Sequence, residues 1–276
     1  MDYFGRIPSS HRSLILVGGI MFFWLLEEAL PLFHFKYQKW KHAGVNLFFT
    51  FTTILVNFPL AFILVQSSNW AVENHFGILY LIHDWPLWSQ AVTGLLLLDL
   101  IGAWAAHWIQ HKVKFLWRFH IVHHADRFVD TTTANRHHPG ESLIRFIFTT
   151  LAILITGAPM WLVFLYQSLS VILSQFNHAN IVLPAWLNAG LSLLFVTPNM
   201  HHIHHHYVQP YTDSNYGNIF SVWDHLLGTF KKLDSQKIVY GLDTHLKAEE
   251  NNRISNLLQI PFQKYRSPTE ENFKKQ

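Results

Sequence analysis

The sequence predicts an all-α protein, an integral-membrane helical bundle with a histidine-rich cap on one face. Three observations predict it. Half of the 276 residues are apolar and only 13% are charged, against about a quarter charged in ordinary soluble domains. The apolar residues gather into runs close to the roughly 20 residues that a bilayer-spanning helix needs. Finally, the chain carries 20 His, more than its 17 Asp plus Glu, and 13 of them fall between residues 107 and 206.

The first run, Leu14 to Leu26, continues through Glu27 and Glu28 to Phe33. It follows Arg12 as a signal peptide would, but no small-residue cleavage site follows it, so it reads as a retained span. Val45 to Val65 is the second span, with Asn57 and Pro59 inside, and Pro86 to Ala106 is the third, carrying Asp99. Leu143 to Thr156 and Met160 to Phe176 form a pair of shorter runs around Gly157-Ala158-Pro159. Gly and Pro are the expected breakers at a tip, so the pair reads as a helical hairpin or re-entrant pair. Leu187 to Val196 is too short to cross alone. From Lys231 the chain turns polar, with nine Lys/Arg and six Asp/Glu, and reads as a soluble tail. The whole is expected to be one domain: spans over 1–106, a histidine-bearing region over 107–230 including the 143–176 hairpin, and a polar tail over 231–276.

Loop charge sets the orientation. Lys36, Lys39 and Lys41 lie between the first two spans, whereas the 67–85 loop has no Lys or Arg. Lys112, Lys114, Arg118, Arg127 and Arg136 follow the third. These basic segments and the tail are therefore expected on the cytoplasmic face, which leaves Arg6 and Arg12 on the other. The net charge of +3 is small and scattered, which gives no support to a nucleic-acid partner. With no Cys in the chain, disulfides, thiolate-bound zinc, iron–sulfur clusters and a catalytic thiol are all excluded.

The histidine spacing carries the chemistry. His107 and His111 are i and i+4, so a helix projects both from one face. His120, His123 and His124 follow His-x-x-His-His, and His201, His204 and His205 repeat it. The last run can also be read as His202, His205 and His206. The first register is preferred because Val122 and Ile203 then occupy the same slot, which leaves His202 and His206 to orient a neighbour. Such spacing lets a short helix offer two or three imidazoles to a shared metal site, and the number of histidines suffices for two ions. A zinc protease needs Glu after the first His of its motif, and position 108 is Trp. Imidazole suits iron, copper, zinc and nickel; redox-active ions could activate dioxygen beside a lipid tail, and zinc can occupy the same ligands. Glu141 and Asp224 are candidates to accept the free N–H of ligating rings, and each could equally cap a helix. Asp99, inside a span and two turns before His107, should point the same way; a functional role and simple burial against a neighbouring helix are both open to it.

The chain resembles the fatty acid hydroxylase/sterol desaturase superfamily of integral-membrane di-iron oxygenases. The residues that carry the likeness are His107-Trp-Ile-Gln-His111, His120-Ile-Val-His123-His124, His138-Pro139-Gly140-Glu141, the 201–207 run, and Asn215-Tyr216-Gly217-Asn218 through Trp223-Asp224 to Gly228-Thr229-Phe230. The resemblance covers roughly residues 90–230. It implies two irons held near the cytoplasmic face by about ten histidines, namely the eight of the boxes with His138 and His178. A lone His at a helix end, as at 178, is by itself more often structural. The resemblance further implies O2 as co-substrate, a lipid substrate from the bilayer and oxidation of a C–H bond, with hydroxylation preferred and desaturation as the alternative on the same site. With no haem or flavin motif evident, the electron donor is expected to be a separate protein. A reading from another class, a metal-transport or metal-binding membrane protein, would need ligands at mid-span, whereas these histidines cluster outside the spans.

Overall fold

The computed structural model describes residues 2–268. Among them every regular element is helical, and the few extended pairings are isolated bridges. After a short helix α1 (Asp2–Gly5), α2 spans Ser9–Ala29 and stops where Pro31 approaches, since the residue before proline is pushed out of the helical region. Helix α3 runs Lys39–Glu73, well beyond the predicted 45–65. Its 35 residues extend about 52 Å at 1.5 Å per residue, so both polar ends leave a hydrocarbon layer of about 30 Å. The third span is longer than expected at its far end. Helix α4 (Leu87–Asp99) passes through a π turn at Leu100–Ala105 into α5 (Ala106–Lys112). After a break at Val113 comes α6 (Lys114–His124).

Helices α7 (Pro139–Thr156) and α8 (Met160–His178) follow one another across the break at Gly157-Ala158-Pro159. Gly157, at φ 71°, closes α7 in the left-handed region that glycine adopts at little cost. Among the described residues four helices are long and apolar enough to cross a membrane: Ser9–Ala29, Lys39–Ile82, Leu87–Lys112 and Pro139–Thr156. Their outward faces carry exposed Phe22, Leu25, Phe58, Phe62, Ile147 and Leu151, an apolar belt that water would not tolerate and lipid would. The short runs that remain are α9 (Ala185–Leu191), α10 (Pro198–His204), α11 (Val222–Leu226), α12 (Ala248–Asn252) and α13 (Ile254–Gln259).

One apolar core packs α4, α7 and α8 around Leu98, Ile153, Leu162 and Val163. A second joins Val45 and Phe49 of α3 to Ile121 and Val122 of α6 and to Leu242, Leu257 and Ile260. The last three lie in the segment that composition reads as a soluble tail. Over its described part that segment instead folds back and closes the cap. A few apolar anchors suffice, and an average over the segment hides them; residues 269–276 of the predicted tail lie outside the described residues. Buried polar contacts fasten the same seam. Arg136, 1% exposed, donates through Nε to Val122 O (2.9 Å), through Nη1 to Asn46 Oδ1 (3.0 Å) and through Nη2 to Asn251 O (2.7 Å). His42 of α3 meets both Asp126 oxygens at 2.9 Å. Glu27 ties α2 to the cap by accepting from the Thr131 and Asn180 backbone amides.

Candidate metal centre

Most of the histidines singled out by spacing converge in the cap. His107, His111, His120, His124 and His204 form one group, and His123, His178, His201 and His205 form another; within each, one nitrogen per ring lies within 4.8 Å of all the others. The groups adjoin, with the His124 and His205 rings stacked at 4.7 Å. The two His-x-x-His-His motifs divide between them in opposite senses. In α6 the i and i+4 rings, His120 and His124, enter the first group while His123 crosses to the second. In α10 and its cap the i and i+4 rings, His201 and His205, enter the second while His204 crosses to the first. The periodicity of one helical turn therefore builds two sites side by side.

For three of the rings a backbone oxygen determines which nitrogen faces inward. A carbonyl can only accept, so the nitrogen opposite it carries the proton. His107 Nδ1 donates to Tyr216 O (2.9 Å), His204 Nδ1 to Ser214 O (2.6 Å) and His178 Nδ1 to Ser174 O (2.7 Å). His120 Nδ1 donates to the Glu141 carboxylate (2.8 Å). The opposite nitrogens of these four rings are then bare lone pairs, yet His107 Nε2 and His120 Nε2 stand 3.0 Å apart; His178 Nε2 lies 3.0 Å from His201 Nε2 and 3.2 Å from His123 Nε2. The buried Nε2 atoms of His111, His124, His204 and His205 have no hydrogen-bond partner. The facing lone pairs of His107 and His120 repel each other unless a cation lies between them. Each group therefore fits one metal ion, with neutral nitrogen donors and no carboxylate among them.

Electrostatics agrees with that donor set. Burial pushes His120, His123, His124, His201 and His205 below the ordinary imidazole value and His204 down to about 3. Rings outside the spans are thus neutral at physiological pH, the form that ligates.

The structure brings nine of the ten predicted rings together and leaves His138 out. His138 is the N-cap of α7: its Nδ1 accepts from Gly140 N (2.9 Å), Nε2 donates to Leu258 O (3.3 Å), and its ring packs on Phe119. With both nitrogens engaged, it has none to turn inward. Its neighbour His137 is the ring beside the groups, 4.8 Å from His123, with Nε2 on Ala134 O and Nδ1 2.9 Å from Glu141. The preferred register of the last box matches the geometry, because His202 bonds to Tyr240 Oη and Ala179 O, and His206 Nδ1 accepts from Val239 N. Of the histidines read as loop, tail or interfacial, His11, His34, His75, His83 and His225 are exposed, whereas His42 and His245 are buried.

Two of the carboxylates act on the centre through the 215–230 loop. Asp224 accepts from Trp104 Nε1, from the Tyr216 and Gly217 amides and from Thr229 Oγ1, and so fixes the carbonyl that orients His107. Asp99, on the same side of the third span as His107, accepts from the Ile219 and Phe220 amides and from Trp223 Nε1. Sequence reading named Glu141 but missed the Tyr216, Ser214 and Ser174 carbonyls, which no residue type announces.

A sequence profile described as fatty acid hydroxylase matches residues 91–229, just over half of the chain. The match begins in α4 and ends after α11, so it takes in all nine converging rings. Among curated proteins the chain is 29% identical over 174 residues to an ornithine lipid hydroxylase of Rhizobium tropici, covering 63% of this chain and 50% of that one. It is 30% identical over 212 residues to the alkylglycerol monooxygenase of Danio rerio (74% and 44%) and 31% identical over 160 residues to that of Homo sapiens (57% and 33%). The chain thus spans half or less of the length of these relatives. No solved structure matches it.

Proposed function

Because this chain belongs to the fatty acid hydroxylase family, we propose that it is an O2-dependent membrane oxygenase that oxidises a C–H bond of a lipid at two irons. The observation that carries this reading is the pair of adjoining groups of imidazoles, in which His107, His120, His178 and His204 hold their protons outward and turn bare nitrogens toward the other rings. His107, His111, His120, His124 and His204 would hold one ion and His123, His178, His201 and His205 the other. Bound iron would supply the redox chemistry that activates dioxygen, which no side chain supplies. The residues of the chain hold and orient. Tyr216, Ser214 and Ser174 fix ring tautomers through their carbonyl oxygens, Glu141 balances charge beside His120, and burial of the rings keeps bulk water from them.

Hydroxylation is the reaction we assign: R–H, O2, two electrons and two protons give R–OH and water, with the electrons delivered by a separate donor protein. The site and the basic segments around it, including Lys36, Lys41 and Lys114, are assigned to the cytoplasmic face. The chain is read as one domain, in which the cap and the spans share cores. A metal-transport reading has less to support it, because the donors sit where helices end rather than at mid-span.

The test is oxygen consumption by purified, iron-loaded protein with a chemical reductant and a lipid extract, followed by mass spectrometry of the lipids. Uptake with a product one oxygen heavier is expected, and both should vanish in His120→Ala and His204→Ala. A product lighter by two hydrogens would reassign the reaction to desaturation. No uptake by protein that holds two irons would overturn the proposal.

A further inference from the structure

A cavity of about 380 Å³ lies between α3, α7 and α8, with Arg12 of α2 and Gly102 of the π turn at its edge. It reaches His137 and Arg145, and these two residues also line a hollow of about 30 Å³ against His107, His120, His123, His178 and His201. The cavity therefore leads to the histidines. Its walls are mixed: Thr53, Asn57 and Ser142 and the two arginines share them with Leu64, Phe146 and Val171, and no carboxylate lines it.

Arg145 stands six residues into α7, about 9 Å along the helix from its start at 1.5 Å per residue, in a helix apolar enough to span a membrane. The outward face of that helix is Leu143, Ile147, Leu151 and Ile155; Arg145 is on the other side, facing the cavity. Among the described residues its only ion pair is with Glu141 at 3.9 Å, and that carboxylate already serves His120 at 2.8 Å and His137 at 2.9 Å. A guanidinium presents five donors, and a charge within a span is costly enough to mark a pathway or a ligand.

Resting on the oxygenase reading above, we infer that the lipid reaches the centre head first, with Arg145 pairing an anionic oxygen, carboxylate or phosphate, of its polar head. The atoms beside the histidines then belong to the head or to the first few carbons next to it, and the tail extends back past Arg12 toward the lipid. A planar fork suits either anion bidentately.

Three probes with one C16 chain test this in neutral-detergent micelles: N-palmitoylglycine, 1-palmitoyl lysophosphatidate and the uncharged monopalmitoylglycerol. For the wild-type protein at least one anionic probe should bind about tenfold or more tighter than the neutral one, the scale of one charge-assisted hydrogen bond. Which of the two gains says whether the head is a carboxylate or a phosphate. Arg145→Lys should retain a preference and Arg145→Gln should abolish it. Equal affinities in the wild type, or an undiminished preference in a folded Arg145→Gln protein, would overturn the inference. Should Arg145→Gln fail to fold, the wild-type comparison and Arg145→Lys decide. In turnover, tandem mass spectrometry should place the new oxygen in the head or next to it, and an oxygen at mid-chain would refute the head-first pose. A firm anionic preference without any oxidation would sink the oxygenase reading and leave the binding site standing.

Discussion

At the scale of single residues the centre depends on where protons are held as much as on the rings themselves. Glu141 is fully buried, and its carboxylate fixes the tautomer of a converging ring, His120. Glu141→Ala should lower metal affinity by about 10–100-fold, the usual loss when an outer partner of a ligating His is removed, as read by metal analysis against a competing chelator. His138→Ala should behave differently. It removes a helix cap, so about 1 kcal/mol of stability is expected to go while bound metal per chain stays unchanged. Loss of metal from His138→Ala would restore that ring to the ligand set. The boxes were legible in the sequence because i, i+3 and i+4 spacing survives any uncertainty in helix ends. The choice between His137 and His138 was not, because it depends on α7 starting at Pro139. That start makes His138 a cap and leaves its neighbour facing the rings.

At the scale of elements, apolar runs announced the spans and gave no sign of their ends. Helix α3 continues beyond Val65 through Gln66, Ser67 and Ser68 to Glu73, and Ser68 Oγ bonds to Ala158 O across the α7–α8 tip. A polar stretch read by composition as a loop is thus a helix held by tertiary contacts. The tip was legible as Gly157-Ala158-Pro159, but its partner was not. Gly77 (φ 111°) and Gly157 (φ 71°) meet backbone to backbone, and a Cβ on Gly157 would collide with Phe76 O. Gly157→Ala therefore combines a left-handed φ with a clash against main chain. A loss of about 1–3 kcal/mol follows from the strain alone, and thermal unfolding in detergent should show it as a lowered midpoint. Because the tip lies at the far end of α7 from the centre, bound metal per folded chain should not change. A neutral effect on the midpoint would mean that the tip is looser than the packing of these two glycines implies.

At the scale of the whole molecule, the bundle and its cap were legible as a composition, a membrane chain with excess imidazole. The closure of the cap by residues 231–262 was not, since it depends on contacts between Leu257 or Ile260 and helices more than a hundred residues away. Orientation in the membrane is the property that rests on loop charge alone, and the fold makes it testable. The centre, Lys36, Lys41, Lys114 and the returning segment share one end, while the 74–86 connection, with exposed Leu81 and Trp85, lies at the other. Since the chain contains no Cys, single cysteines report without background. In intact cells a membrane-impermeant maleimide should label Leu81→Cys directly and label Val239→Cys or Leu246→Cys, both at exposed positions, only after permeabilisation. The reverse pattern would move the centre to the other side of the membrane, and with it the donor that must deliver electrons there. Labelling of both ends in intact cells would instead break the argument that four helices carry the chain across, because a bundle lying on one surface would leave the apolar belt of α3 and α7 without the lipid that its exposed Phe58, Phe62 and Ile147 require.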